Sequence, residues 1–430
     1  MADPVVSPAD REAEAEPRRG PLDTAAGGYL LSRTSGISPF EILAAGPRAS
    51  RFLLRSATRG LRGGDRERPE IPTRIPTWST AFGVWADELV LAFMATTRLS
   101  ASDDDFARIS DEVTDALAAL EKAGALDDPR VLHPRPEAPT ARIAPARYRG
   151  LRFEHLQFMS GYTPAVPLPG TTRWMSVTTN QTVHAYVLRH PTPRPWVVQL
   201  HGFGMGKESD VVALRARHLF SDLGVNVIQP VFPGHGPRAE VGGEDALTMD
   251  YLNNVHAVSQ AISDVRQVIS WIEATDPDAG PVAVHGVSMG GYLAALLAGL
   301  DERVGCVISG VPTVDLSWVM NRHLPEDDRV LADEYRLLGE RAARIHSVVS
   351  PLALDPLVPH DRRFVYAGVA DRMATPGEAY RLWVHWEQPS VLWYRGAHVA
   401  FAWSREVRSF IDRALRSSGY ASVTRERAAS

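Results

Sequence analysis

The chain has 430 residues and a formal net charge of −5 at pH 7, with 44% of its residues hydrophobic and 23% charged. This composition is typical of a soluble globular protein, and the length allows roughly two or three domains. The acidic balance, with a pI near 6.3, argues against a nucleic-acid-binding protein. Cys306 is the only cysteine, which excludes an intrachain disulfide and a metal cluster built from cysteines.

The N-terminal region, residues 1–28, is polar and rich in Pro, Ala and Glu, and this predicts a disordered tail. It lacks the apolar core of a secretory signal peptide. The chain contains no uncharged apolar stretch of about 18 residues, and the most apolar candidate, Ala81 to Thr97, is interrupted by Asp87 and Glu88. We therefore expect a cytoplasmic protein.

Residues 29–146 predict a helical module that precedes the main domain, and its first helix is basic. Arginines recur in it at spacings of three and four, which brings them to one face of a helix. They are Arg48, Arg51, Arg55, Arg59 and Arg62. This face indicates either weak peripheral contact with a membrane or a face that is solvated or docked on acidic residues of the same chain. Glycines that limit the helix, from Gly60 to Gly64, favour the second interpretation.

Two further helices are expected in this module. The segment Pro76–Leu99 is rich in large apolar residues and predicts an amphipathic to buried helix. Ser102 offers an N-cap followed by acidic residues, and apolar residues recur at helical spacing from Phe106 to Leu120. The proline-rich segment from Asp127 to Pro145 predicts a linker.

From about Arg147 onward, short apolar runs alternate with helical segments, which predicts a mostly parallel, doubly wound sheet. The expected strands are Leu151–Met159, Arg173–Thr178, Thr182–Arg189, Trp196–Leu200, Asn226–Val231, Val282–His285, Val304–Ser309, Arg363–Ala367 and Val391–Tyr394. The expected helices are Ser209–Leu223, Tyr251–Glu273, Tyr292–Leu300 and Phe401–Leu415.

The segment Pro281–Tyr292 carries the most specific local pattern of the chain. An apolar strand leads into Gly286-x-Ser288-x-Gly290, and a helix rich in Ala and Leu follows. Between a strand and a helix, this pattern is typical of a nucleophile elbow, a sharp turn that exposes a serine at the carboxyl edge of a sheet. Taken alone, the pattern also fits an ordinary glycine-rich turn. The functional interpretation predicts attack by Ser288 on a carbonyl carbon.

A serine nucleophile requires a base and an acid that orients the base, and on this type of sheet they follow the serine in the order acid, then histidine. Asp371 follows the strand that ends near Gly368, and His398 follows the last expected strand. We expect His398 to act as the base and Asp371 to hold it. Asp315, after the Val304–Ser309 strand, is the alternative acid.

The developing oxyanion requires two backbone N–H donors. One is expected from Met289, directly after the nucleophile. The other is expected from Phe203 in the segment His201–Gly204, where Gly202 and Gly204 allow the backbone to approach a substrate. We expect His201 itself to fix this loop by hydrogen bonds.

Five motifs in this order resemble the α/β-hydrolase fold family over about Arg147 to Ser418. They are His201–Gly204, Phe232–Gly236, Gly286–Gly290, Gly368–Asp371 and Gly396–His398. The resemblance implies an eight-stranded, mostly parallel sheet and a Ser288–Asp371–His398 triad, with no metal and no other cofactor. It sets a catalytic domain at residues 147–418 and a C-terminal tail at 419–430.

A long insertion at about residues 312–360 occupies the position of a cap in this family, and its helical part is expected from Asp328 to Ile345. Its residues Trp318, Met320 and Leu324 either line an acyl pocket or pack the cap onto the sheet. The segment from Ala239 to Met249 is expected to form a second rim.

The leading hypothesis is a serine hydrolase, carboxylesterase-like or lipase-like, that cleaves small-molecule esters through an acyl-enzyme intermediate. The alternatives are an amidase, peptidase or thioesterase, an acyltransferase on the same triad, and a non-catalytic binding protein on the same fold. The oligomeric state stays open.

Overall fold

The computed structural model describes residues 33–34, 39–61, 68, 70–72, 77–97, 99–100, 102–240, 248–324 and 326–421. The expected tail at residues 1–28 and most of the expected tail at 419–430 lie outside these ranges. Residues 241–247, most of the expected second rim, lie outside them as well. Among the described residues, no helix combines the length and the apolar character that a bilayer crossing requires.

One mixed sheet organises the described part of the chain. Its strands are β3 (Arg142–Tyr148), β4 (Leu151–Met159), β5 (Thr182–Leu188), β6 (Trp196–Leu200), β7 (Asn226–Pro230), β8 (Val282–Val287), β9 (Val304–Gly310), β10 (Arg363–Gly368) and β11 (Ser390–Tyr394). A separate antiparallel pair joins the short strands β1 (Arg33–Thr34) and β2 (Leu99–Ser100).

The strand order of the main sheet is β11-β10-β9-β8-β6-β7-β5-β4-β3. Strands β6 to β11 pair with one another in parallel. Strands β3, β4 and β5 lie at one side of the sheet and form its antiparallel pairs, the last of them between β5 and β7. The expectation of a mostly parallel α/β-hydrolase sheet is confirmed. The sheet has nine strands among the described residues, one more than the resemblance implies.

The additional strand is β3, which lies partly in the segment predicted to be a linker. It pairs only with β4, so it is an edge strand, and its side chains are exposed or half-buried. The strand contains Pro145, which an edge strand tolerates because one of its sides carries no ladder hydrogen bonds. The sheet therefore begins at Arg142 rather than near Arg147.

The helices are α1 (Pro39–Leu61), α2 (Trp78–Thr97), α3 (Asp103–Lys122), α4 (Thr171–Met175), α5 (Asp210–Ala213), α6 (Ala216–Ser221), α7 (Tyr251–Thr275), α8 (Met289–Ala298), α9 (Leu316–His323), α10 (Glu326–Glu334), α11 (Glu340–Ser347), α12 (Pro376–His385) and α13 (Arg405–Ser417).

The predicted strand Arg173–Thr178 is wrong, because the structure has helix α4 and a short 3-10 turn there. Its tryptophan packs on α7 rather than in the sheet. Trp174 is buried, and its indole N–H donates to Gln260 of α7 at 2.7 Å. A short segment that holds an aromatic residue and a β-branched residue, here Trp174 and Val177, fits either structure, and a tertiary contact decides.

Two expected single helices are each divided by a residue with positive φ. Arg215, at φ 57°, separates α5 from α6. Arg336, at φ 52°, lies in the turn between α10 and α11, where one helix was expected from Asp328 to Ile345. A left-handed residue ends an α-helix, and both positions are arginines that carry no sequence signal for such a break.

Helices cover both faces of the sheet. In β8, Val282 and Val284 face the cluster that holds α3, α7 and α8, whereas Ala283 and Val287 face the cluster that holds α6 and α13. The alternation of side chains along a strand produces this division. The sheet is therefore doubly wound, as expected.

Helix α3 belongs to the core on one of these faces. Ser102 caps it through a reciprocal pair of bonds with Asp105, which is the capping expected from the sequence. Phe106, Ile109 and Val113 are fully buried in the cluster that includes α7. A part of the predicted N-terminal module thus shares the hydrophobic core of the sheet.

Candidate active site

The turn between β8 and α8 holds Ser288 in a backbone conformation that side chains rarely adopt. Its φ is 56° and its ψ is −119°, and strain of this kind in a non-glycine residue costs about 1–3 kcal/mol. From Val282 to Leu300 every residue is buried except Ser288, which is partly exposed. The fold thus buries the surroundings of this hydroxyl while leaving the hydroxyl accessible.

Glycines make this turn sterically feasible. A Cβ on Gly286 would lie 1.9 Å from the Gly290 carbonyl oxygen, and a Cβ on Gly290 would lie 2.2 Å from the Leu200 carbonyl oxygen. Both neighbours are backbone atoms, which have little freedom to move. Helix α8 therefore starts in direct backbone contact with the ends of β6 and β8.

An acid–base pair lies at the ends of two neighbouring strands. Asp371 follows β10 and His398 follows β11, and these strands are parallel neighbours. His398 Nδ1 lies 2.7 Å from Asp371 Oδ2, and both side chains are buried. The other oxygen, Asp371 Oδ1, accepts bonds from the N–H groups of Met373 and Ala374, each at 2.9 Å. The carboxylate is thus held from both sides.

The charge of Asp371 sets the protonation of His398. Burial alone would lower the pKa of His398, but the charge of Asp371 and the hydrogen bond to it, with a smaller contribution from Asp87, outweigh burial and raise that pKa above the usual 6.5. Burial lowers the pKa of His235 and of His285 to about 4, and it lowers the pKa of His201 well below 6.5. Among these buried histidines, His398 is the one placed to accept a proton near neutral pH.

The alternative acid, Asp315, is engaged elsewhere. It caps α9 by accepting the N–H of Trp318 at 2.9 Å, and it forms an ion pair with Arg381 at 3.0 Å. The structure brings Asp371 to His398 and gives Asp315 other partners.

The loop that follows β6 lies against the serine turn. A Cβ on Gly202 would lie 3.5 Å from the Ser288 Cβ. His201 Nδ1 donates to the Gly202 carbonyl at 2.8 Å, and its Nε2 accepts the N–H of Phe232 at 3.1 Å. His201 thus fastens this loop to the loop after β7, the role expected of it from the sequence.

The two expected oxyanion donors have different settings. Met289 is the first residue of α8, and the first N–H groups of a helix have no acceptor within the helix. The helix N-terminus also favours negative charge. Phe203 lies in the loop after β6, and its ring contacts His235 edge-to-face at 5.5 Å.

Among the hydrogen bonds of the described residues, none joins the Ser288 hydroxyl to the His398 ring. Ser288, Asp371 and His398 each follow a strand of the parallel part of the sheet.

Two of the three cap residues pack the cap onto the sheet domain rather than line a pocket. Met320 and Leu324 are buried in the main core, and the Met320 sulfur lies 3.2 Å from Asn254 Nδ2 of α7. Trp318 is partly exposed, with the Arg322 guanidinium 5.2 Å from its ring centre. Of the three residues named for an acyl pocket, Trp318 alone keeps an accessible surface.

A family model described as the alpha/beta hydrolase family matches residues 197–430, more than half of the chain. The chain belongs to the α/β-hydrolase family. Strands β3 to β5 and the helices before them precede the matched region.

Two uncharacterized proteins of Mycobacterium tuberculosis, from strains CDC 1551 and H37Rv, are each 38% identical to this α/β hydrolase. Each alignment covers 356 residues, which is 81% of this chain and 85% of the relative. The relatedness extends over most of the chain, well beyond the region that the family model matches.

Solved structures with a similar fold include an acetyl xylan esterase from Paenibacillus sp. R4, at 15% identity and a TM-score of 0.47 over 70% of this chain and 94% of that one. An esterase of Pyrococcus furiosus has 14% identity and a TM-score of 0.39 over 66% and 98%. Likeness at this level says nothing about the substrate of this α/β hydrolase.

Sequence reasoning missed Asp87 of α2, which lies at the site beside Glu88. Both side chains are buried. Asp87 contacts the loops that carry Asp371 and His398, and Glu88 contacts the loop that carries Asp371. Two adjacent acidic residues inside an apolar helix were the available signal, because carboxylates are rarely buried without partners.

Glu88 also pairs with Arg48 at 3.3 Å, so one arginine of the basic face docks on an acidic residue of the same chain. The Arg59 side chain and Arg62 lie outside the described residues.

We expect Gly290→Ala to destabilise the protein by about 1–3 kcal/mol or more, because its Cβ meets rigid backbone. The control is Gly46→Ala on α1, where the new Cβ meets no described atom within 4 Å beyond its chain neighbours and its own helix backbone. That variant should be unchanged or slightly more stable, since alanine favours helix. Denaturant unfolding monitored by circular dichroism measures both. A Gly290→Ala protein as stable as the parent would contradict the backbone contact described above.

Proposed function

We propose that this α/β hydrolase is a serine hydrolase that cleaves carboxylic esters of small molecules through an acyl-enzyme intermediate. The observation that supports it most directly is the 2.7 Å contact between His398 Nδ1 and Asp371 Oδ2. These two residues follow strands of the same sheet in which β8 leads into Ser288. Ser288 is the nucleophile, His398 the base, and Asp371 the group that orients the base.

The first step forms the bond between Ser288 Oγ and the ester carbonyl carbon. His398 Nε2 accepts the hydroxyl proton as that bond forms. Asp371 holds the proton on Nδ1, so Nε2 is free to act as the base, and its charge stabilises the imidazolium that results.

The carbonyl oxygen becomes negatively charged in the tetrahedral intermediate. The N–H groups of Phe203 and Met289 are the donors proposed to bind it, and one such donor is worth about 3–4 kcal/mol of transition-state stabilisation. The partly positive N-terminus of α8 favours the same charge.

Collapse of the intermediate breaks the bond to the alcohol, and His398 returns its proton to the departing oxygen. Water then attacks the acyl-enzyme, with His398 again as base, and releases the acid and the free Ser288 hydroxyl. No metal and no other cofactor takes part in this sequence.

We expect hydrolysis of p-nitrophenyl esters of graded chain length, and a loss of about four orders of magnitude or more in kcat for Ser288→Ala. The matched control is Ser409→Ala, an exposed serine on α13, which should retain the parent rate. The chain length with the highest kcat/KM measures the acyl pocket.

Parent-like activity in Ser288→Ala would remove Ser288 from the mechanism. A folded parent that cleaves none of these esters would exclude the simple ester class. It would favour an amide or thioester substrate, or acyl transfer to another acceptor.

The pH dependence of kcat/KM should report His398. Only the neutral ring accepts a proton, so the rate rises as His398 deprotonates. Because Asp371 raises the pKa of His398, the midpoint of this rise should lie above 6.5. Rates measured across pH 5–9 at constant ionic strength locate the midpoint. A midpoint below 6.5, or no pH dependence, would argue against this base.

A further inference from the structure

A buried carboxylate from the N-terminal helices touches both loops that carry the proposed acid and base. Asp87 lies in the middle of α2 and has no exposed surface. Burying a carboxylate without partners is costly. Its partners are three backbone N–H groups that lie hundreds of residues away in sequence.

The three bonds divide between two loops. Asp87 Oδ2 accepts the N–H of Arg372 at 3.0 Å and that of His398 at 2.8 Å, and Oδ1 accepts the N–H of Val399 at 3.0 Å. Arg372 directly follows Asp371, and the second donor is the amide of His398 itself. A single carboxylate therefore joins the loop after β10 to the loop after β11.

This link adds to the bond between the two side chains. The Asp371–His398 bond fixes the ring to the carboxylate, whereas Asp87 fixes the two backbone segments from which these side chains project. Bonds from N–H groups to a charged acceptor are stronger than bonds between neutral groups. The combination restricts the separation and the orientation of the acid and the base together.

The packing of α2 on these loops leaves little freedom. A Cβ on Gly83 would lie 3.1 Å from Ala397 Cβ and 3.3 Å from the Ala397 nitrogen, so the helix approaches the loop closely. Val84, Ala370 and Ala397 form one small buried cluster around this contact. Glu88, on the next position of α2, pairs with the Arg372 side chain at 2.7 Å.

We propose that Asp87 is a positioning residue of the active site, which holds Asp371 and His398 in their catalytic arrangement by bonding the backbone of both loops. The proposal rests on the serine-hydrolase mechanism proposed above. Asp87 acts through His398 and does not touch the substrate, so it should affect kcat far more than KM.

The charge of Asp87 gives the proposal a second readout. Burial and repulsion from Asp371 raise the pKa of Asp87 to about 6, against lowering by His398 and the backbone bonds, so Asp87 is mainly ionised at pH 7. Its charge contributes to the raised pKa of His398. The other charged or titratable groups around it are Glu88, Arg48, Asp371, Arg372, Tyr394 and Arg322.

The test compares Asp87→Asn with Glu88→Gln in the full-length protein. The asparagine keeps the size of the side chain, but its NH₂ group faces an N–H donor and its charge is lost. We expect kcat on a p-nitrophenyl ester to fall about 10- to 100-fold, with KM within about threefold of the parent. The midpoint of the kcat/KM profile should move to lower pH.

Glu88→Gln is the matched control, because it removes one charge from the same helix but no bond to the loop backbone. Because a glutamine oxygen can still accept from the Arg372 side chain, it should keep the parent midpoint, with kcat within about threefold of the parent. An Asp87→Asn protein with parent kcat and parent midpoint would overturn the proposal. Equal losses in both variants would also overturn it, since docking of α2 alone would then explain them.

Two further measurements cover the remaining outcomes. Asp87→Ser provides a smaller side chain if the asparagine variant does not fold. Failure of both to fold would make Asp87 a folding determinant and overturn the positioning role.

An NMR pH titration of the His398 ring, in the parent and in Asp87→Asn, needs no substrate. A lower pKa in the variant supports the proposal even if the protein hydrolyses no ester, and an unchanged pKa counts against it.

Discussion

Backbone contacts that leave no room for a side chain fix the centre of this protein. Gly290 lies against the Leu200 carbonyl, and Gly286 lies against Gly290, so the end of β6, the end of β8 and the start of α8 meet without intervening atoms. Ser288 adopts a positive φ at this contact, and α8 starts at the next residue. The loop after β6 follows directly, which explains why Gly202 lies against the serine turn.

The positions of Asp371 and His398 follow from the parallel strands of the sheet. Parallel neighbours end at the same edge, so the loops after β10 and β11 lie side by side, and Asp371 and His398 meet across them. Helices on both faces bury the strands, and these loops carry the polar groups. The arrangement thus follows from strand order. Glycines allow the close contact at the serine turn, and the buried carboxylates of Asp371 and Asp87 bond to the loops after β10 and β11.

Much of this arrangement was predictable because its signals are local. A Ser102–Asp105 capping box, a strand–glycine–serine–glycine–helix pattern and short apolar runs between turns each fix an element without reference to distant residues. The predictions failed where tertiary contact decides. Residues 173–178 are helical because Trp174 packs on α7, and β3 exists because β4 offers it an edge.

The candidate site divides in the same way. The order of serine, acid and histidine, each after an expected strand, pointed to Asp371 and His398. Asp87 could not be assigned, because its partners lie 285 to 312 residues further along the chain and are backbone groups that leave no mark in the sequence. Helix α2, which precedes the family-matched region, thus contacts the loops that carry Asp371 and His398.

The central claim is that Ser288 is a nucleophile activated by the Asp371–His398 pair. Incubation with a fluorophosphonate, followed by digestion and mass spectrometry, tests it directly and does not depend on the substrate. The account predicts one adduct, on the peptide that contains Ser288, and its absence from Ser288→Ala and from heat-unfolded protein. A folded protein that forms no adduct, or forms it on another serine, would contradict the account.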